Sequence, residues 1–173
     1  MQEYHTFQKN SHLCNNNYII TINKNFDAVL NRIKEYHKDK NWLTDKYIKT
    51  LKSCRMSNCK TQIISVELWD DKKLIAGEIG YINGSIYTSL SGFFDRENYS
   101  NFGKIQLIAF ALILKKSGFT FWNMGHPYMD YKFQMGATEY KRNDFLKIWK
   151  IHREDIPAGG NLVFAPTEIW LLF

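Results

Sequence analysis

The fold is decided by one stretch, SVELWDDKKLIAGEIGYINGSIYTSLSGFF, which spans residues 65–94. Apolar, β-branched and aromatic residues alternate with polar ones through most of it, as they do in half-buried strands. The run Asp70–Lys73 and the pair Asn83–Gly84 interrupt this pattern, and both are typical turn sequences. The stretch therefore predicts an antiparallel meander of three strands, at Gln62–Trp69, Leu74–Tyr81 and Ser85–Ser89.

Apolar residues recur at helical spacing on both sides of this meander. Asn25 or Asp27 suits the cap of a first helix and Thr44 the cap of a second, because these side-chain oxygens accept backbone N–H groups. The other predicted elements, in chain order, are a strand at Tyr18–Ile22, a helix ending at Tyr36, a helix from Thr44 to the break at Asn58, a helix at Lys104–Lys115, a strand at Phe119–Met124, one or two helical turns at Met129–Met135, a helix from Asn143 or Asp144 to Ile151, and a strand at Leu162–Phe164.

This order of elements predicts a single α/β (α+β) domain over residues 18–173. A meander followed by a helical crossover to another strand gives a mixed, mostly antiparallel sheet flanked by helices. Residues 1–17 are polar and rich in asparagine, which favours a flexible N-terminal tail.

The charge of the chain bears on its partners. The 173 residues carry a net charge of +6, and the pI is about 9.1. Much of the excess lies in the stretch 32–60, and clustering favours a binding face. A basic domain suggests a polyanionic partner, most often nucleic acid, although simple solubility explains the same charge.

Cysteine usage and hydropathy bear on the compartment. Cys14, Cys54 and Cys59 are too few and too odd in number for a disulfide framework, which favours a reducing compartment. Their spacing with His12 fits no standard zinc module, so no metal site is predicted. No apolar run near the start resembles a signal peptide, and none approaches a membrane span. We therefore expect a cytoplasmic protein with no membrane partner.

Three motifs give the chain a resemblance to a known family. Residues 65–94 are similar to the central segment of leucyl/phenylalanyl-tRNA–protein transferases, where S-[VI]-E-[VL]-W precedes a short turn, L-V-G-G and a glycine-turned hairpin. NWLTDKYIKTL (41–51) is similar to the family's T-W-I-T helix start. QMGATEYKRNDFL (134–146) is similar to its S-L-G-A-x-x-I-x-R-x-x-F/Y-L close. The matches are collinear from about residue 18 to 150.

The resemblance implies a GNAT-like (N-acetyltransferase-like) fold. It also implies transfer of an aminoacyl group from aminoacyl-tRNA to the N-terminal amine of an acceptor protein, with neither a metal nor acetyl-CoA as cofactor. The sequence agrees on acetyl-CoA, because residues 101–104 hold one glycine where CoA-dependent relatives carry a glycine-rich loop. A helix N-terminus there, helped by Lys104, still suits a phosphate.

Carried over residue by residue, the resemblance places Trp42 against the terminal adenosine of tRNA and Tyr87 in the aminoacyl pocket. An indole face stacks on any base, although a core tryptophan at a helix start has the same sequence. Four site positions depart from the family's pattern: Glu78 replaces a pocket methionine, Leu90 a glutamate, Asn123 an aspartate and Gly125 a glutamine. The replaced acidic and amide groups are those that the resemblance implies orient and activate the attacking amine.

The segment FWNMGHPYMDYKFQMGA (121–137) is the candidate wall of a binding cleft, because a glycine and a proline break open the buried strand that precedes it. Asn123 can position a carbonyl or an amine by hydrogen bonds. An imidazole can act as a base at neutral pH, so His126 is the obvious substitute base. Asp130 and Lys132 could orient a polar ligand. A plain strand-to-helix junction, with His126 satisfied in a loop, is the alternative.

Glu78 is the second candidate base. A carboxylate at an interior-facing hairpin position is costly unless it is paired or solvated. We expect it either to accept the proton of the acceptor amine or to recognise a cationic or hydrogen-bonding group. If the register is shifted by one residue, Glu78 faces solvent and Ile79 fills the pocket instead.

The remaining candidates complete an aminoacyl-tRNA–protein transferase-like site. Ser89 and Ser91 offer hydroxyl groups to the ligand, and the phosphate contacts are assigned to Lys46, Lys49 and Lys104. Two rival functions stay open. One is an N-acyltransferase on the same scaffold that uses acyl-CoA or an acyl carrier. The other is a descendant without activity that binds RNA or protein.

Overall fold

The computed structural model describes residues 18–40, 42–57, 59–159 and 166–168. Six strands and five helices make up these residues, with one short 3-10 turn at Lys38–Lys40. In chain order the elements are β1 (Tyr18–Ile22), α1 (Phe26–His37), α2 (Asp45–Met56), β2 (Thr61–Asp70), β3 (Lys73–Asn83), β4 (Ile86–Phe94), α3 (Phe102–Lys116), β5 (Phe121–Asn123), α4 (Asp130–Gln134), α5 (Arg142–His152) and β6 (Thr167–Glu168).

The strands form one sheet in the order β5-β4-β3-β2-β1-β6. β5 runs parallel to β4, and the helix α3 makes the crossover between them. Every other neighbouring pair is antiparallel. The predicted mixed, mostly antiparallel sheet with flanking helices is therefore confirmed for the described residues.

One face of the sheet is covered by α3. This helix is apolar on almost every side, and Phe110 and Ile113 are fully buried against the sheet. Val66 of β2 and Tyr87 of β4 belong to the same core. Because side chains alternate across a strand, residues in register with these two point towards α3.

The opposite face is covered by α1 and α2. Val29 and Ile33 present the apolar stripe of α1, and Leu51 comes from α2. Both helices begin at the predicted caps, since Asn25 accepts the N–H of Ala28 and Thr44 accepts that of Tyr47. The stripe spacing and the caps together explain why these two segments are helical.

The acidic residue of the S-V-E-L-W motif is structural. Glu67 is fully buried in β2 and accepts hydrogen bonds from the hydroxyls of Thr21 and Ser65, each at 2.6 Å. It also accepts the backbone N–H groups of Lys24 and Asn25. One carboxylate therefore joins β2 to the turn between β1 and α1.

Several predicted boundaries differ from those of the structure. The hairpin loop is Gly84–Ser85 rather than Asn83–Gly84, because Asn83 pairs with Ile86 and the positive φ of 62° falls on Gly84. β4 extends to Phe94 rather than Ser89, and β5 is limited to Phe121–Asn123. The strand predicted at Leu162–Phe164 and the tail at 1–17 lie outside the described residues.

No helix in the described part of the chain is both long and apolar enough to cross a membrane.

Candidate active site

The sheet opens between β4 and the chain that follows β5. The parallel pairing covers only Ile86–Thr88, so Ser89–Phe94 have no strand partner on this side within the described residues. The register between β3 and β4 shifts at the same level, because Ile79 pairs with Ser91 and Gly80 with Ser89. Leu90 is thus the extra residue of a β-bulge, a feature that redirects side chains and often lies beside active sites.

Glu78 lies on β3, opposite Gly92 in the unpaired part of β4, on the face covered by α3. It pairs with Val66, a residue of the α3-side core, whereas Ile79 packs against α1. The side chain is 4% exposed, and its Oε1 accepts the Tyr87 hydroxyl at 2.8 Å. Ser89 Oγ lies 3.3 Å from Oε2 and 3.4 Å from Oε1. Glu78 therefore points inward, and Ile79 fills the opposite core.

The environment of Glu78 favours its protonated form. Burial raises the pKa of Glu78 to about 7, although hydrogen bonds from Tyr87 and Ser89 and the charge of Lys132 act in the other direction. Burial and the same carboxylate also raise the pKa of Tyr87 well above its ordinary range. A carboxyl group that titrates near neutrality is suited to accept a proton from an amine and to release it again.

Lys132 brings a positive charge to the opening. It is 8% exposed, and its Nζ donates to the carbonyl oxygens of Met124 at 2.6 Å and His126 at 2.7 Å. Burial lowers the pKa of Lys132, while the carboxylate of Glu78 raises it. The ammonium group therefore holds the strand-to-helix junction through hydrogen bonds and interacts with the Glu78 carboxylate through its charge.

The two other predicted catalytic residues lie at this junction in different surroundings. Asn123 is half-buried at the end of β5, and its Oδ1 accepts the backbone N–H of Gly125 at 3.0 Å. The imidazole of His126 is exposed and packs on Tyr128, with ring centroids 3.7 Å apart. Gly125 lies across from Ser89, whose carbonyl oxygen would be 3.8 Å from a Cβ at that glycine. The structure thus brings Lys132 rather than the His126 ring towards Glu78.

An aromatic wall closes the inner end of the opening. Trp122 donates its indole N–H to Ser89 Oγ at 2.9 Å, and its ring lies 6.0 Å from that of Tyr87. Phe110 packs edge-on against Tyr87 at 4.8 Å. One helical turn earlier, Gln106 is buried and its Nε2 has no partner within the described residues. This amide is an unused hydrogen-bond donor on the helix face that packs against the wall.

The opposite lip is formed by the C-terminal end of α1. His37 Nε2 donates to the carbonyl oxygen of Gly92 at 3.1 Å and lies 3.4 Å from Ser91 Oγ. Burial raises the pKa of Tyr131, and the charge of Glu78 and the phenol of Tyr36 act in the same direction. Tyr131 therefore interacts with groups from β3 and α1, on both sides of the opening.

Trp42 lies just before α2, next to the α1–α2 face. It is 41% exposed and packs edge-on against Tyr47, with ring centroids 4.9 Å apart. Its neighbour Leu43 is buried in the core below. Lys46 and Lys49 are exposed on the same helix. The indole of Trp42 is therefore partly accessible to solvent, and its base-stacking role stays a prediction.

The basic stretch 32–60 is partly neutralised. Three of its lysines form ion pairs, Lys34 with Asp45, Lys52 with Asp27 and Lys60 with Glu154. Lys104 lies in the first turn of α3 and donates to Gln134 Oε1 at 2.8 Å.

Cys54 and Cys59 are free thiols, whereas His12 and Cys14 lie outside the described residues.

A separate cavity of about 250 Å³ lies between the end of α2 and β2. Asn23, Arg55 and Gln62 are among its lining residues, and none of the predicted site residues lines it. It is therefore distinct from the opening beside Glu78.

The sheet order, the α3 crossover and the open edge of β4 define a class, the GNAT-like acyltransferase fold. The structure is similar to an aminoglycoside acetyltransferase from an uncultured soil metagenomic sample, solved in complex with trehalose, with a TM-score of 0.52 and 14% sequence identity. The similarity covers 72% of this chain and 92% of that one, and at this identity it shows the fold alone.

The family follows from the sequence comparison. The model of the leucyl/phenylalanyl-tRNA protein transferase family matches residues 1–150, and the chain belongs to that family. The leucyl/phenylalanyl-tRNA–protein transferase of Flavobacterium johnsoniae is 28% identical, over 76% of this chain and 60% of that protein. The protein of the same name from Shewanella halifaxensis is 30% identical, over 74% of this chain and 52% of that protein. The chain thus spans a little over half the length of these relatives.

Several residues of the opening were not among those predicted. Trp122 stands one position before Asn123 and points the other way, so the alternation of a strand was an available signal. Gln106 is the only polar residue in the run Ile105–Leu114, which marked it as exceptional. His37 and Tyr131 gave no comparable signal, because only the folded chain brings α1 and α4 to the same opening.

Proposed function

We propose that this domain transfers an aminoacyl group from charged tRNA to the N-terminal amine of an acceptor protein. The family membership supports the reaction class. The observation that carries the assignment to a site is the buried carboxyl of Glu78 at the open edge of β4, with a pKa of about 7. An N-terminal amine must lose a proton as it attacks an ester carbonyl, and in this proposal Glu78 accepts that proton.

The other groups of the opening hold the reactants. Tyr87 and Ser89 orient the Glu78 carboxyl through their hydroxyl groups. Asn123 and Gly125 form the turn at which the ester carbonyl is presented, while Leu90 and Ser91 line the bulged strand on the α1 side. Because an amine reacts readily with an activated ester once the two are aligned, positioning supplies most of the acceleration.

In this proposal the contacts to the donor RNA extend from the opening to α2, because the terminal adenosine carries the reacting ester. The exposed face of Trp42 stacks on the terminal adenine, and Lys46, Lys49 and Lys104 contact phosphates. The contacts to phosphate are sequence-independent and weaken as salt rises. His126, exposed beside Tyr128, remains a candidate second base in this proposal.

The reaction is tested with aminoacyl-tRNA carrying a labelled amino acid and a peptide acceptor with a free N-terminus. tRNAs charged with leucine, phenylalanine and arginine are compared, because Glu78 could also recognise a cationic side chain. Glu78→Gln keeps the size and the hydrogen bond to Tyr87 but cannot accept the proton, so the rate should fall by about 10²-fold or more for every donor. Glu139→Gln, at an exposed position, is the matched control.

The outcomes separate the possible roles of Glu78. A loss confined to the cationic donor assigns Glu78 to recognition rather than to proton transfer. Full activity in Glu78→Gln contradicts both roles. If tRNA binds at low salt without any turnover by the wild-type protein, the domain is a binding module and the proposed reaction is wrong.

A further inference from the structure

Glu78 and Lys132 are two buried ionisable side chains, one acidic and one basic. Each influences the pKa of the other, yet no direct ion pair joins them within the described residues. Buried charges in contact usually form an ion pair with hydrogen bonds that satisfy both partners. Neither group is therefore committed to the other, and both can act on the same ligand.

Both groups have bonding capacity left over. An ammonium has three N–H donors, and Lys132 uses two of them on the carbonyl oxygens of Met124 and His126. Glu78 Oε2 has only the long contact from Ser89 Oγ at 3.3 Å. One donor on Lys132 and one acceptor on Glu78 are therefore free to act on a ligand.

The two backbone contacts also hold Lys132 in place. Its stem is buried, and Nζ is fixed by two short bonds at 2.6 and 2.7 Å. A charge held rigidly in a low-dielectric site stabilises a developing negative charge without having to reorganise. A lysine on a flexible, solvated stem would lack this property.

From this arrangement we infer that Lys132 is a catalytic residue, the group that stabilises the oxyanion formed when the amine attacks the ester carbonyl. This inference rests on the proposed function. As the new C–N bond forms, the carbonyl π electrons move to oxygen beside Nζ of Lys132, and the amine proton passes to Glu78. When the carbonyl re-forms, the C–O bond to the ribose breaks, and Glu78 returns the proton to the leaving hydroxyl.

Two stable adenosine analogues test this role. One carries the aminoacyl group through a neutral amide and mimics the bound ester, while the other carries an anionic phosphonate in its place and mimics the oxyanion. Dissociation constants are measured by calorimetry for the wild type, Lys132→Met and Lys132→Gln. The glutamine variant retains an N–H donor for the loop carbonyls but has no charge, and thermal unfolding shows that each variant is folded.

The wild type should bind the phosphonate more tightly than the amide. Both variants should lose about 10²-fold in affinity for the phosphonate, with less than about 3-fold change for the amide. Equal losses for both analogues would show that Lys132 only positions the loop, and no loss would show that it faces away from the reacting carbonyl. If the wild type binds neither analogue, the proposed function fails. If it binds both without preference, only the role of Lys132 fails.

Discussion

At the residue scale, the decisive feature is a carboxyl group placed inside an aromatic core. The hydroxyls of Tyr87 and Ser89 satisfy part of its hydrogen-bonding capacity, and Lys132 adds a positive charge nearby. These partners reduce the cost of burial but do not remove it, since the pKa of Glu78 is still raised to about 7. A group that titrates near neutrality inside a core makes the stability of the fold depend on pH.

Glu78→Gln is expected to remove that dependence. The folded chain keeps the Glu78 proton up to about pH 7, whereas the unfolded chain loses it near pH 4.5. The protonated carboxyl therefore stabilises the folded state fully below pH 4.5, and this stabilisation disappears as the pH rises through 7. Between pH 5 and 8 the free energy of unfolding should thus fall by about 2.5 kcal/mol more in the wild type than in the variant. Urea unfolding of both proteins from pH 5 to 8 measures the difference. Parallel curves would show that the carboxyl is ionised throughout.

Gly80→Ala should disturb the same group through packing. A Cβ at Gly80 would overlap the hydroxyl of Tyr87 and the carbonyl oxygen of Thr88, and the latter cannot rotate away. We expect a loss of about 2 kcal/mol in stability, together with displacement of Tyr87 from Glu78. Gly136→Ala is the matched control, because open space surrounds that residue and only its positive φ of 87° opposes a side chain. Equal losses of stability in Gly80→Ala and Gly136→Ala would mean that Tyr87 can move aside without cost.

At the element scale, the turn from β1 into α1 depends on Glu67 of β2. Four donors converge on this carboxylate, two hydroxyls and two backbone N–H groups. The indole N–H of Trp69 extends the network to Thr21 at 2.8 Å. The motif that made the chain resemble its family is therefore a structural element, which anchors α1 over the sheet and so fixes one lip of the opening.

Glu67→Ala is expected to destabilise the domain by about 3 kcal/mol, because it leaves several buried donors without an acceptor. Chemical denaturation gives the value, and hydrogen exchange should show the loss concentrated in β1 and the first turn of α1. Glu139→Ala, at the surface, should change stability by less than about 0.5 kcal/mol. If Glu67→Ala changes the free energy of unfolding only slightly, these donors must be hydrogen-bonded to solvent instead of being buried.

The elements were predictable from the sequence where the pattern is local. Cap residues such as Asn25 and Thr44 and the apolar stripes of α1 and α2 identified the helices, and the alternation in residues 65–94 identified the meander. The errors arose where the pairing of one strand with another decides the boundary of an element. The loop moved to Gly84–Ser85 because the register of β3 with β4 is fixed by both cores, and the bulge at Leu90 has no signature in the local sequence.

The site was predictable only in part, for the same reason. Glu78 could be recognised as an interior charge, since alternation placed it on a buried face. Lys132 could be assigned only to orienting a ligand, because its influence on Glu78 depends on how α4 packs, which the local sequence does not show. The solvent-facing position of the His126 ring likewise depends on the loop that Lys132 holds.

At the scale of the whole molecule, the residues proposed to hold the RNA are different from those proposed to carry out the chemistry. Trp42→Ala should weaken tRNA binding by about 1–3 kcal/mol with little change in its salt dependence, because stacking is not ionic. Lys46→Ala and Lys49→Ala should each lower the slope of log K against log salt by about 1. Filter binding between 50 and 200 mM salt measures both, and Lys116→Ala on α3 serves as the control. If the slope of log K against log salt is unchanged in both lysine variants, α2 does not contact the phosphates of the RNA.

The outermost strand has a further consequence. The two described residues of β6 pair with Ile19 and Ile20 of β1, and they lie beyond the part of the chain that the family model matches. A shortened chain ending at residue 150 would leave the edge of β1 that faces away from β2 without this neighbour, and bare edges of this kind readily recruit strands from other molecules. Self-association, rather than loss of the reaction centre, is the failure expected of such a truncation.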